Sequence, residues 1–172
     1  MGFIYVGRLD EIKGIKLLFQ AWKLMGDDAP ELKVCGTGPL EDWCKEYVDK
    51  NHLSTVTMFG FVPNSRAKEL IANSEAIILP TQWYEGFPMI ILEAFSVGTS
   101  VITSDMGNAG DVVQEGVTGY KFKADSAESL IDSLKKCMAF PINGGKIKKH
   151  YEQKYSEEAN YATLKHIYGL VV

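Results

Sequence analysis

The sequence is short of several things, and each shortage removes a class of protein. Its 172 residues hold only three cysteines, Cys35, Cys44 and Cys137. An odd number at wide spacing builds neither a disulfide framework nor a metal-ligand set, so the three read as reduced, structural thiols. Positive charge is not in excess: 18 Lys and Arg face 22 Asp and Glu, a formal net charge of −4. Nucleic-acid-binding domains carry a basic footprint, so nucleic acid is not an expected partner. No apolar run approaches the ~18 residues of a membrane span, and no secretory leader is recognisable; the expected location is cytoplasmic. The three histidines, His52, His150 and His166, fall outside the candidate ligand loops and read as surface or packing residues. No Asp-x-Asp pair and no His/Cys cluster offers a metal site, and there is no internal repeat.

What is present is an ordinary globular composition, 46% hydrophobic and 23% charged, with enough chain for one core. The opening "MGFIYVGRL" starts directly in a strand, which reads as a piece of something longer. Short apolar runs follow at Phe3 to Val6, "ELKVCG", "TVTMFGFV", "AIILP", "SVITS" and "GYKF". Between them lie helical patterns: Ile15 to Met25, Glu41 to Asn51, Arg66 to Asn73 after a Pro63-Asn64-Ser65 turn and cap, and Met89 to Val97 ending at Gly98. Ser126 caps a further helix to Ala139, and residues 147 to 170 make one or two more. The strands are continuously apolar and alternate with helices. That pattern predicts an α/β fold: a Rossmann-like parallel sheet of about six strands, covered on both faces. The expected organisation is a nucleotide-binding body over residues 1–140 and a helical extension over 141–172 packing on it, joined through "FPINGGK".

In such a sheet, ligands bind beyond the carboxyl ends of the strands. The loops there should converge: Gly7 to Gly14, Gly36 to Pro39, Gly60 to Asn64, Pro80 to Pro88 and Ser104 to Gly110. In "GRLDEIKG", Arg8 supplies a planar fork of donors and Lys13 a mobile point charge, which together suit a diphosphate; the plainer reading pairs Arg8 with Asp10 or Glu11 on the surface. "GTGP" lets backbone approach a ligand or is a simple turn. It has neither the third glycine of a dinucleotide fingerprint nor a Walker lysine. In "PTQWYEGFPMIILEA", Gly86 permits a tight turn and Pro88 fits the first helical position. The helix start then offers amides at Met89 and Ile90 to an anion. Glu85 and Glu93 stand about two helical turns apart, a spacing that suits hydroxyls at both ends of a ligand with charge between. Alternatively Glu85 caps the helix and Glu93 is a solvated residue, although an ionised side chain among Ile90, Ile91, Leu92, Ala94 and Phe95 is costly without donors.

Taken in order, "GRLDEIKG", "GTGP", "FGFV" and the long segment from "PTQWYEGFPMIILEA" to "GYKF" resemble the C-terminal half of glycosyltransferase family 4. These are retaining enzymes of the GT-B fold that use nucleotide-activated sugars. The wording "WYEGFPM" is similar to enzymes of bacterial surface polysaccharide synthesis. The resemblance implies roles. Arg8 and Lys13, in the loop opened by Gly7, would grip the donor diphosphate. Glu85 would bind hydroxyls of the transferred hexose, faced by the amides of Gly86 and Phe87. Those of Met89, Ile90 and Ile91 would meet the phosphates, and Glu93 the ribose. Phe61 and Val62 would lie near the base, and Gly36, Gly38 and Pro39 would line the nucleotide pocket. Arg8, Lys13 and Glu85 are the expected catalytic groups.

The donor would be a UDP-, GDP- or ADP-sugar, with no cofactor and no metal. Pro88 replaces a glycine common in the family and removes one N–H. Asp111 stands where a glutamate is common, and its role is left open. Nothing matches the N-terminal acceptor domain, so the fragment is expected to bind donor but transfer little alone. Any peripheral membrane association would run through the absent half. Apolar surface is expected at Tyr161, Leu164, Tyr168 and Leu170. Rival readings are a GT-B sugar-nucleotide epimerase domain and an isolated nucleotide-binding module. A Rossmann dehydrogenase is opposed by the lack of Gly-x-Gly-x-x-Gly after the first strand.

Overall fold

The computed structural model describes residues 2–84, 86 and 88–167, the side chains of His166 and Ile167 excepted. Six strands form one sheet: β1 (Phe3–Val6), β2 (Leu32–Cys35), β3 (Val56–Gly60), β4 (Ala76–Leu79), β5 (Ser100–Ser104) and β6 (Gly119–Phe122). Their spatial order is β3-β2-β1-β4-β5-β6, and every pairing is parallel. This is the doubly wound Rossmann-like arrangement. The chain runs outward from β1 to β3, returns to the centre, then runs outward the other way. The reversal falls between β1 and β4, where such sheets open a crevice at their carboxyl edge.

The strands are apolar throughout because both faces are covered. Phe3, Tyr5, Val34, Ile78, Ile102 and Phe122 enter one layer. Their chain neighbours Ile4, Cys35, Ile77 and Val101 enter the other, as the two-residue period of a strand requires. Helices α1 (Ile15–Met25) and α2 (Glu41–Lys50) pack on the first layer. In α1 the side chains of Ile15, Leu18, Phe19 and Trp22 are fully buried, each contributing about 1.5–3 kcal/mol. Trp22 Nε1 donates to the Pro30 carbonyl (2.8 Å) and so fixes the turn into β2. Phe19, Trp43 and Tyr47 stack across the α1–α2 contact. Helix α6 (Ala127–Ala139) completes this face, with the Ser126 hydroxyl accepting from the Ser129 amide (3.1 Å).

The second face carries α3 (Asn64–Ala72), α4 (Met89–Val97), α5 (Gly107–Val112) and α7 (Gly144–Lys154); α8 (Glu157–Ile167) follows. Four details differ from expectation. Helix α3 starts at Asn64 with an extended Pro63 as its N-cap and no side-chain cap. Proline's fixed φ presets the entry, so the turn polar residues fall inside the helix. Pro88 is likewise the N-cap of α4 rather than its first helical residue. The Ser104 to Gly110 segment is not all loop, since α5 occupies Gly107–Val112. Finally, the tail helix begins at Gly144, where the Asn143 side chain accepts from the Lys146 amide (3.2 Å).

Helix α7 is built into the core. Ile147 is fully buried beside Ile91, Ala94 and Phe95 of α4, and Ile142 touches both hydrophobic layers. The backbones of Gly98 and Gly144 meet so closely that a Cβ at Gly98 would stand 2.8 Å from the Gly144 oxygen. His150 sits between the rings of Phe95 (6.2 Å) and Tyr155 (5.9 Å). By contrast, Tyr161 and Leu164 on α8 are 62% and 42% exposed; Tyr168 and Leu170 lie outside the described residues. All three cysteines are buried and unpaired. Burial pushes each thiol up, Cys44 to about 11.

Candidate functional site

The loops after β1 and β2 are locked together at the carboxyl edge. An irregularity between Val34 and Cys35 shifts the β2–β3 register, and the chain after Cys35 runs on beside the loop after β1. Gly7 N donates to the Cys35 carbonyl (3.0 Å) and Gly36 N to the Gly60 carbonyl (2.7 Å). Leu9 N then donates to the Thr37 carbonyl (3.0 Å), and Leu40 N to the Leu9 carbonyl (3.0 Å). Gly36 has φ +140°, and a Cβ there would lie 1.8 Å from the Gly7 oxygen. Only glycine permits that approach.

This lattice floors an open hollow of about 420 Å³ lined by Val6, Gly7, Arg8, Cys35, Gly36, Thr37, Gly38, Phe61 and Val62. Six residues expected at the site therefore converge: Gly7, Arg8, Gly36, Gly38, Phe61 and Val62. Pro39 is exposed next to them and does not line the hollow. Phe61 is 77% exposed, so a ring face is open at the rim.

A second, narrower hollow of about 60 Å³ shares Val6 and Gly7 with the first. It is lined by Lys13, Thr81, Pro88 and Ile90 among others. Lys13 and Ile90, expected on one ligand, thus line one hollow. The α4 start supplies the adjoining amides. As the first residues of a helix, Met89 and Ile90 have no intrahelical acceptor for theirs. Ile91 does not share that role, because its amide donates to the Pro88 carbonyl (3.0 Å). The reason is the N-cap position of Pro88, whose carbonyl closes the first turn. Glu93 lies three and four residues beyond Ile90 and Met89, one turn along the same side. Its side chain is exposed, so the desolvation cost expected from its apolar neighbours does not arise. Gly86 is exposed as well; Glu85 and Phe87 lie outside the described residues.

Arg8 and Lys13 share an organiser in Asp10. The carboxylate takes Arg8 Nε at 3.3 Å and the Lys13 amide at 3.0 Å. The Arg8 side chain is 66% exposed, so the ion pair has little intrinsic strength and holds the guanidinium at the groove's lip. From beneath, the Tyr5 hydroxyl donates to the Arg8 carbonyl (2.7 Å) from a side chain only 2% exposed. The Arg8–Asp10 pair is the plainer of the two readings given for Arg8 above; the bond to the Lys13 amide and the Tyr5 hydroxyl were not foreseen. Tyr5 reads as an ordinary strand core residue; Asp10 has a visible signal, an Asp three residues before the Lys13 amide that it bonds.

The far wall joins the loops after β4, β5 and β6. Gln82 N donates to the Ile12 carbonyl (2.8 Å), and Ser104 Oγ to the Thr81 carbonyl (2.7 Å). Asp105 Oδ1 accepts from Ala124 N (3.0 Å), and Gln82 Oε1 from Asp125 N (3.1 Å). Asp111 is exposed on α5. Among the described residues, no three His, Cys, Asp or Glu side chains lie together as a metal cage, and no helix is long and apolar enough to cross a membrane.

Comparison with known proteins adds an independent finding. The model of the family described as glycosyl transferases group 1 matches residues 2–158. The glycogen synthase of Mycobacterium tuberculosis is 26% identical over 164 residues, which cover 94% of this chain and 39% of that protein. The lipopolysaccharide outer core galactosyltransferase WaaB aligns with a TM-score of 0.84 at 24% identity, over 98% of this chain and 49% of the other. Anabaena HepE in complex with UDP aligns with a TM-score of 0.83 at 18% identity, over 98% and 48%. At these identities the structural likeness speaks for the fold. The chain spans about two fifths of the curated relative's length and about half of either solved chain.

Proposed function

The chain belongs to the glycosyl transferases group 1 family, and from that premise we propose that it is the donor-binding half of a retaining GT-B glycosyltransferase. Its donor is a nucleotide-activated hexose, and its setting is polysaccharide synthesis. The observation that carries this reading is the pair of hollows that share Val6 and Gly7 at the carboxyl edge: one with Gly36 and Gly38, Phe61 and Arg8 in its lining, the other with Lys13 and the start of α4. An extended ligand with a flat base, a central diphosphate and a terminal sugar matches that order of chemistry. HepE, the structural neighbour described above, has been solved with UDP and with UDP-glucose.

On this reading the base lies beside Phe61 and Val62, over Gly36 and Gly38. The exposed Glu93 takes ribose hydroxyls. The diphosphate rests between Arg8, Lys13 and the Met89 and Ile90 amides, and the hexose extends toward Glu85 and Gly86. Cleavage of the bond between the anomeric carbon and the phosphate oxygen sends its electron pair to the diphosphate. Arg8, Lys13 and the helix start are aimed at that developing charge, the arrangement electrostatic catalysis requires. An acceptor hydroxyl then attacks from the face the phosphate leaves, and the leaving oxygen takes its proton. Glu85 and Glu93 are committed to hydroxyls and do not act as a paired acid and base. The acceptor site belongs to the other half of the enzyme, so this chain alone binds donor and transfers little.

Calorimetric titration with UDP, GDP and ADP and their sugars, with and without Mg²⁺, tests the reading. Binding of one nucleotide, independent of Mg²⁺ and weakened in both Arg8→Ala and Glu93→Ala, is the expected result. Binding that survives both substitutions puts the ligand elsewhere and overturns the assignment of the groove.

A further inference from the structure

The charge of the chain is unevenly spread. Residues 135 to 154 hold six lysines and a single acidic residue, Glu152, a local charge of +5. Since the whole chain carries −4, the remainder carries −9. The basic stretch covers the last turn of α6, the connection to α7, and α7 itself.

That connection lies at the amino edge of the sheet, opposite the groove, beside the turn that leads into β6. Tyr120 Oη reaches from β6 to donate to the Phe140 carbonyl (2.6 Å) and holds the segment in place. An open hollow of about 590 Å³ lies here, with Val117, Phe140, Pro141, Ile142 and Lys146 in its wall. Two large apolar side chains in its wall are exposed, Phe140 at 71% and Val117 at 47%, and Met138, two residues before Phe140, is 48% exposed. Lys135 and Lys136 are exposed on α6, and Lys149 on α7. Lys149 lies one turn beyond Lys146 on α7, a spacing that keeps both on one side.

We propose that this edge is a docking surface for an anionic lipid bilayer. The lysines meet phosphate headgroups, and Phe140, Met138 and Val117 enter the interfacial layer. Exposed apolar side chains accompanied by lysines are the pattern of interfacial binding. Composition separates this occupant from a protein partner. Interfaces between proteins favour arginine and are poor in lysine, because the planar guanidinium reads a carboxylate in a fixed geometry. Every basic residue in this stretch except His150 is lysine, which suits a diffuse, fluid array of phosphates. The charge asymmetry also orients the domain, since its acidic remainder is repelled from the surface that its lysines approach. The proposal thus places membrane contact on this chain, where the sequence reading expected none, and it stands independently of the glycosyltransferase reading.

Sedimentation of the chain with phosphatidylcholine vesicles, with and without phosphatidylglycerol, tests it. Binding is expected only with phosphatidylglycerol and is expected to fall as salt shortens the Debye length. Each of Lys135→Ala, Lys136→Ala and Lys146→Ala lowers the partition coefficient about fivefold, equivalent to ~1 kcal/mol per charge near an anionic surface. Phe140→Ser lowers it about tenfold through lost apolar burial. Lys45→Ala, on the remote α2 helix, leaves it unchanged, and near-ultraviolet circular dichroism confirms that each variant is folded. Failure to sediment, equal binding to neutral vesicles, or variants that partition like the parent chain overturn the proposal. So does equal affinity for soluble polyglutamate at the same salt, which assigns the surface to an acidic protein.

Discussion

Replacing Gly36 by alanine tests the architecture of the groove directly. Two costs arise at this position. At φ +140° a residue with a Cβ is strained by about 1–3 kcal/mol. The new carbon would also start 1.8 Å from the Gly7 oxygen, so the two loops must part. Their separation weakens the bonds from Gly7 N to Cys35 O and from Gly36 N to Gly60 O, each contributing about 1 kcal/mol. Together these effects amount to about 3–4 kcal/mol, a large share of a typical domain stability of about 5–15 kcal/mol. Gly60 supplies the internal control. It too has a positive φ, +65°, but a Cβ there meets nothing within 4 Å, so Gly60→Ala carries only the left-handed penalty of about 1–2 kcal/mol. With a urea slope of about 2 kcal/mol/M, the unfolding midpoint falls by about 1.5–2 M for Gly36→Ala. For Gly60→Ala it falls by about 0.5–1 M. Equal shifts for the two variants would refute the close approach of the loops as the reason for glycine at 36.

Other outcomes follow from the same geometry. Tyr5→Phe removes the hydroxyl that holds the Arg8 carbonyl; UDP affinity should fall about five- to tenfold, the loss of roughly 1 kcal/mol, while uridine affinity stays unchanged in parallel calorimetry. Burial and the neighbouring Lys154 hold His150 below the ordinary histidine value of 6.5. The folded protein thus resists a proton that the unfolded chain accepts, so stability is full above pH 6.5 and declines as pH drops through that value toward the lower folded one. His150→Gln should flatten that part of the curve in urea titrations run across pH. The buried thiols, all raised above their usual range, should ignore a disulfide reagent in the native state and react as three equivalents in denaturant.

The sheet was legible because its signal is redundant: six apolar runs, each bounded by turn residues, and helices with a clear apolar side. Helix α1 has the bounds its periodicity predicts, Ile15–Met25. Helix α5 was not legible, since Gly107 and Gly110 are two of its six residues and local preference opposes the helix; tertiary packing of Ala109 and Val113 overrides it. Helix α7 looks like a polar appendage, and only Ile147 and Tyr151, one turn apart, report that one side of it is core. At the site, topology alone brought Gly7, Arg8, Gly36, Gly38, Phe61 and Val62 to one hollow, from loops far apart in sequence. The bounds of α4, Met89–Val97, are those its pattern predicts, but the loss of the Ile91 amide follows from Pro88 being the N-cap, one residue from its expected place, and the exposure of Glu93 from the core taking the side of Ile91, Ala94 and Phe95. Tyr5 was hidden by its own strand, because an aromatic residue in an apolar run gives no hint of what its hydroxyl reaches.

The strand order has a consequence for how the chain is made. β1 needs two neighbours, and they are available at very different times. β2 follows about one helix later, but the partner of Ile4 on the other side is Ile77. At synthesis rates of about 5–20 residues per second, roughly 4–15 s separate their emergence. Through that interval the first three strands can assemble, while one edge of "FIYV" presents unpaired amides and carbonyls flanked by apolar side chains. Such an edge templates pairing with another chain. The hazard of misassembly is therefore concentrated on the nascent protein, and it ends when β4 closes the same seam at which the groove opens.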